Sequence, residues 1–168
     1  MKKIVLLLCL AGAGWWYFVA SNRLSEEDVR DFYAAQTVAT LDRKPEELCK
    51  LLADDYSSKI TTSVAGQRTT SDHDKGAACQ NAHDLYESFD KIGEKMGGVV
   101  QLDFNQGLDS IAIAPDRKSA TIETRFTFDV ASALMNMKGT STDVLVRRHG
   151  KTLMLSSEGK VSLSNGMH

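Results

Sequence analysis

The chain is poor in the features that usually disclose a protein's chemistry. It has two prolines and three cysteines in 168 residues, and it has no glycine-rich phosphate loop, no GxSxG turn and no HExxH pair. Those absences remove the signatures of phosphate-cradling loops, α/β-hydrolases and zinc metalloproteases. There is no basic surplus either. The formal net charge is -2, and setting aside Lys2 and Lys3 of the N-terminal segment leaves 18 basic side chains against 22 acidic, a net -4. A nucleic-acid binder draws most of its affinity from phosphate contacts and carries a Lys/Arg surplus or stripe to make them. The densest basic cluster, Arg147-Arg148 with Lys151 nearby, reads as a solvated hairpin tip, so no nucleic acid is expected as a partner.

What the chain does have is one long apolar run. Met1-Lys2-Lys3 is followed by Ile4 to Ala20, 17 residues without a charge. Burying that run in lipid is favourable, and the two lysines hold its start on the cytoplasmic side. The segment therefore reads as an export signal, with residues 1–22 as signal anchor or signal peptide and 23–168 as a single exported domain. Trp15, Trp16, Tyr17 and Phe18 sit at the outer end, where amphipathic rings favour the membrane interface, and such bulk beside a scissile bond is unusual. That favours retention as a single-pass anchor through residues 4–20 in a bacterial inner membrane, with the domain in the periplasm. Against it, 17 residues is the short end of a membrane span, and Val19 and Ser21 satisfy the small-residue rule for cleavage near Ser21. Cys9 follows Leu8, where a lipoprotein would carry a small residue, and it reads as a plain thiol in the apolar run.

The remaining cysteines, Cys49 and Cys79, are an even pair in a compartment that oxidises thiols, and a disulfide between them is expected. Two separate buried thiols are the alternative.

Ser25-Glu26-Glu27-Asp28 is an N-cap followed by acids, which satisfy free amides and complement the helix dipole. Val29, Phe32, Tyr33 and Gln36 then follow at helical spacing, predicting a helix to about Leu41. Pro45 opens a second helix striped by Leu48, Cys49, Leu51 and Leu52. Tyr56, Ser58, Ile60, Thr62 and Val64 alternate as a half-buried strand. Residues 66–74 read as a polar loop, and a long helix runs from about Lys75 to Gly97-Gly98 on Ala78, Ala82, Leu85, Tyr86, Phe89, Ile92 and Met96. Beyond it the pattern is antiparallel sheet: Val99–Phe104 and Leu108–Ala114 around a turn at 105–107, a turn at 115–118, a strand from Ala120 to Val130, a longer connection at 131–138, and a hairpin across His149-Gly150. In the strand, Ala120, Ile122, Thr124, Phe126, Phe128 and Val130 share one face, which is apolar apart from the threonine. Glu123, Arg125 and Asp129 share the wet face with Thr121 and Thr127.

The order of elements resembles the NTF2-like (cystatin-like α+β) superfamily. It is carried by the capped helix from Ser25, the helix with Leu85, Tyr86 and Phe89, the strand Ala120 to Val130 and the hairpin at His149-Gly150, over about Ser25 to Leu163. The resemblance is architectural and rests on no short motif. It implies an α+β fold in which a curved antiparallel sheet wraps a long helix into a cone with an internal cavity, and helices on one face of an unrelated antiparallel sheet are the fallback. That superfamily mixes enzymes with binding modules, so fold alone settles no function.

The candidate chemistry is thin. Asp72-His73-Asp74 offers metal-ligand types, but capping by Asp72 at a helix start accounts for it more simply. His83 with Tyr86 and Glu87 stands at i, i+3 and i+4, a spacing that lets a carboxylate orient an imidazole. Tyr33, Tyr56, His83, Tyr86, Phe126 and Phe128 are the candidate cavity residues, and Glu123, Arg125 and Asp129 the candidate interface. No catalytic residue, metal ligand or cofactor is assigned. The expectation is a non-enzymatic, membrane-tethered envelope module that binds a protein partner, as accessory subunit or small regulator of an envelope assembly. A carrier of a small apolar ligand and a cavity enzyme are the alternatives.

Overall fold

In a computed structural model, residues 22–130 and 135–164 are described. The proposed anchor, residues 131–134 and the last four residues lie outside them. Among the described residues no helix is long and apolar enough to cross a membrane.

The first helix, α1 (Glu26–Leu41), starts where the sequence predicts: Ser25 and Asp28 form a reciprocal capping box, with Asp28 N–H donating to Ser25 Oγ at 3.2 Å and Ser25 N–H donating to Asp28 Oδ2 at 2.9 Å. Two of the helix's free amides are satisfied this way. Val29, Phe32, Tyr33 and Ala39 form its buried stripe, each large side chain contributing about 1.5–3 kcal/mol by leaving water. Helix α2 (Pro45–Lys50) is a short turn begun by proline. The long helix α3 (Lys75–Met96) is capped by Asp74, whose carboxylate accepts from Ala77 N–H at 2.8 Å, and not by Asp72. It stops at Gly97, whose φ of 75° is the left-handed conformation that glycine adopts without a Cβ penalty. A disulfide joins Cys49 at the end of α2 to Cys79 in α3, with Cα atoms 5.5 Å apart.

Six strands form one sheet: β1 (Leu52–Val64), β2 (Gln67–Asp74), β3 (Leu102–Ile113), β4 (Ser119–Val130), β5 (Met135–Arg148) and β6 (Lys151–Ser164). Their spatial order is β2-β1-β6-β5-β4-β3. All neighbours are antiparallel except β1 and β6, which run parallel in the middle of the sheet. Three sequence readings give way here. Residues 67–74, read as loop, are strand β2, which pairs with β1 from Ser57↔Asp74 to Val64↔Gln67. The turn expected at 105–107 is the interior of a continuous β3, whose irregularity is instead a register shift between Leu108 and Ser110. Strand β5 begins at Met135, inside the expected connection.

The helices cover one face of the sheet and split the core in two. Leu24, Val29, Phe32, Tyr33, Tyr56, Ala120, Ile122, Leu145 and Met154 pack together beneath α1. Tyr86, Phe89, Val100, Phe128 and Val130 form the second cluster, beside α3. The strand face predicted to be inward is inward, since Ala120, Ile122, Thr124, Phe128 and Val130 are buried. Between the two clusters the filling is incomplete, and that is where the candidate site lies.

Candidate functional site

The gap between the second half of α1 and the concave sheet face is a cavity of about 300 Å³. Gln36 and Thr40 come from α1, Tyr56 and Ile60 from β1, Phe104 and Gln106 from β3, Phe126 from β4, Ser141 and Asp143 from β5, and Ser157 and Val161 from β6. The register explains the convergence. Ile122, Asp143 and Ser157 lie in one row across β4, β5 and β6, and Thr124, Ser141 and Gly159 in the next. Because strand side chains alternate, a residue in phase with buried Leu145 on β5 must also face inward. Asp143 is two residues from Leu145, so the sheet carries a carboxylate into the cone.

Asp143 is 2 % exposed. Tyr33 Oη donates to its Oδ2 at 2.7 Å, and Ser157 Oγ donates to its Oδ1 at 2.7 Å. Hydroxyl donors on an ionised acceptor are among the stronger protein hydrogen bonds and offset part of the carboxylate's desolvation. Burial, and then the negative charge of Asp143, push the Tyr33 phenol far above its ordinary range, so it stays a donor. Burial also raises Tyr56, with Asp143 adding to the effect and a Ser58 hydrogen bond opposing it. One row further along, Thr124 and Ser141 share a hydrogen bond of 2.9 Å.

The rest of the lining is a mixture. Phe104 and Phe126 sit with ring centroids 6.3 Å apart and, with Leu52, Ile60, Met154 and Val161, make the apolar wall. The Phe126 ring lies over Gly139, where a Cβ would come within 2.6 Å of it and 2.8 Å of the Lys160 carbonyl. The amide oxygens of Gln36 and Gln106 are buried and have no protein partner. No lysine, arginine or histidine lines the cavity among the described residues.

The six candidate cavity residues separate. Tyr56 and Phe126 line the cavity, and Tyr33 stands behind Asp143. Tyr86 and Phe128 belong to the second core cluster, where the Tyr86 hydroxyl donates to the Thr40 carbonyl at 3.2 Å. His83 is on the outer side of α3, 61 % exposed, with Nε2 3.2 Å from Glu46 Oε1, so its neighbours Tyr86 and Glu87 do not join it in a cavity. Asp72, His73 and Asp74 border one cleft with Lys59 and Glu158, but Asp74 caps α3, the His73 ring bonds Ser71 Oγ at 3.0 Å, and among the described residues no three ligand-type side chains converge as a metal site. On the other sheet face Glu123 accepts from Ser110 Oγ at 3.2 Å, Arg125 Nε donates to Asp109 at 2.7 Å, and Asp129 accepts from Asn136. All three candidate interface residues thus have partners within the sheet. The residue that sequence reasoning missed is Asp143, whose signal was its phase with Leu145.

No family model matches the sequence, and no curated protein matches it. Solved structures do. A conserved protein from Planctomyces limnophilus aligns with a TM-score of 0.58 at 16 % identity, over 81 % of this chain and 94 % of that one. An NTF2-like protein of unknown function from Shewanella oneidensis aligns with a TM-score of 0.56 at 10 % identity, over 80 % and 98 %. A ketosteroid isomerase-like protein from Erwinia carotovora aligns with a TM-score of 0.52 at 9 % identity, over 79 % and 92 %. The chain has the NTF2-like α+β architecture, a fold that carries both enzymes and non-catalytic proteins.

Proposed function

We propose that the protein is a small-molecule binder whose site is the cone around Asp143, displayed on the outer side of a bacterial inner membrane by the segment at residues 4–20. One observation carries the reading: the fold places a buried carboxylate beside a cavity of about 300 Å³ that also has an aromatic wall. A cleft with apolar walls and a few convergent polar groups is the usual form of a ligand site, and this volume is at the small end of the range. The sheet face with Glu123, Arg125 and Asp129 is not used by this reading; those side chains bond within their own sheet, and the face is open to a protein partner.

Binding without turnover is favoured because Asp143 has both oxygens engaged by hydroxyls. Catalysis is the second reading, favoured by the buried Tyr33–Asp143 pair, since such pairs mark acid-base sites. The test is a thermal-shift screen of small molecules against the full chain and a cavity-filled variant. Gly159 lines the cavity, and a Cβ there meets only ordinary contacts at 3.6 Å, so the backbone accepts a side chain and Gly159→Val directs its methyls toward the space, with the fold of the variant checked by its circular dichroism. Compounds that stabilise the wild type should lose their effect in Gly159→Val. Equal shifts in both proteins would place binding elsewhere, and a bound compound recovered chemically altered would favour catalysis.

A further inference from the structure

The cone contains a negative group without a positive one. Asp143 is almost wholly buried and is held by two neutral hydroxyls, Tyr33 and Ser157. A carboxylate offers about four lone-pair directions, so two hydrogen bonds leave acceptor capacity unused. An ionised carboxylate buried away from cations is costly, and proteins pair such groups as a rule. Here the cavity lining supplies no cation among the described residues. The same cavity holds two further acceptors with no protein partner, the amide oxygens of Gln36 and Gln106. Unpaired buried acceptors cost about 1–3 kcal/mol each, a penalty that a ligand's N–H groups would relieve. The same lining holds the rings of Tyr56, Phe104 and Phe126, with Phe126 paired across the strands with Gln106 and Phe104 two residues before Gln106; the negative faces of such rings attract an ammonium group and their bodies suit an apolar one.

Resting on the cavity reading above, we infer that the ligand is a small organic cation: a primary or secondary ammonium carried on a compact apolar body, with the charge toward Asp143 and the body against Phe104 and Phe126. A neutral apolar molecule would leave the two amide oxygens unpaired and the carboxylate without a countercharge, and an anion would face Asp143 directly.

A matched pair of probes tests the charge. Titration of the full chain with 2-phenylethylamine and with 2-phenylethanol, which differ only in the ammonium and hydroxyl ends, should show the amine binding at least about tenfold more tightly, as charge-assisted hydrogen bonds allow. Asp143→Asn keeps one acceptor oxygen, turns its amide N–H toward the second hydroxyl, which rotates to accept, and removes the charge, and it should erase the preference. Equal or tighter binding of the alcohol in the wild type overturns the inference while leaving the cavity reading intact. If neither probe binds below about 1 mM, and no other ammonium or neutral compound gives a shift sensitive to Gly159→Val, both fail. The amine–alcohol comparison is made in the wild type, so it decides the matter even if Asp143→Asn does not fold.

Discussion

Tyr33 on the first helix donates its hydroxyl to Asp143 on the fifth strand at 2.7 Å, across 110 residues of sequence. This bond ties α1 to the floor of the cone and gives the buried carboxylate one of its two donors. Tyr33→Phe removes the donor while keeping the ring, which packs edge-on against Phe32 at 5.3 Å. The expected cost is about 1–3 kcal/mol, the penalty for leaving a buried acceptor short of a partner, read as a lower urea midpoint with unchanged slope. An unchanged midpoint means that the bond contributes nothing net.

The Cys49–Cys79 bridge closes a loop with a sequence separation of 30. Constraining the unfolded chain over that length stabilises by about 3.5 kcal/mol in the chain-entropy model. Reduction, or the double change Cys49→Ser with Cys79→Ser, should lower Tm by roughly 7–14 °C for a domain of this size. Two freely alkylated thiols in unreduced, unfolded protein would sink the assignment.

Gly139 is a steric requirement of the cavity wall. Its missing Cβ makes room for the Phe126 ring and the Lys160 carbonyl, a close approach typical of glycine inside a strand. Gly139→Ala should destabilise by about 1–3 kcal/mol, as overpacking does. Trimming the ring with Phe126→Ala should not restore the loss fully, because the backbone oxygen stays in place. Full rescue would show that the carbonyl contact is unimportant.

Acid should weaken the start of α1. Burial alone raises the Asp28 carboxyl, but hydrogen bonds from the Ser25 side chain and backbone, with the Arg147 guanidinium at 2.8 Å, outweigh it and hold the group below its usual range. A depressed folded-state pKa contributes stability that is full above the ordinary aspartate range and is lost as pH falls through the folded value. The wild type should therefore lose stability faster than Asp28→Asn between about pH 4 and pH 2, followed as urea midpoint against pH. Parallel curves would contradict the assignment.

The sequence was most readable where local chemistry and tertiary structure agree. Ser25 to Asp28 spells a capping box, Gly97 marks the end of α3, and the alternation from Ala120 to Val130 gives the inward face of β4. It was least readable where a strand has no apolar face to announce it. Strand β2, Gln-Arg-Thr-Thr-Ser-Asp-His-Asp, is an exposed sheet edge, and its pattern is that of a loop. The site was hidden for a related reason. Asp143 is a polar residue in an inward phase, so hydrophobic periodicity passes over it; its spacing from Leu145 carried the signal, and the pairing Ile122↔Asp143 bears it out. His83 failed in the opposite sense: helical spacing gathered a promising set of residues on α3, but the helix turns His83 toward solvent.

The central claim, that the cone around Asp143 is the binding site, is tested most directly by methyl-resolved NMR of the full chain with compounds that raise its Tm. The account predicts shifts concentrated at Leu52, Ile60, Met154 and Val161, which line the cavity, with Val38 and Leu41 on the exposed side of α1 unmoved. Shifts confined to Val38, Leu41 and other surface methyls, with the four cavity residues silent, would contradict it.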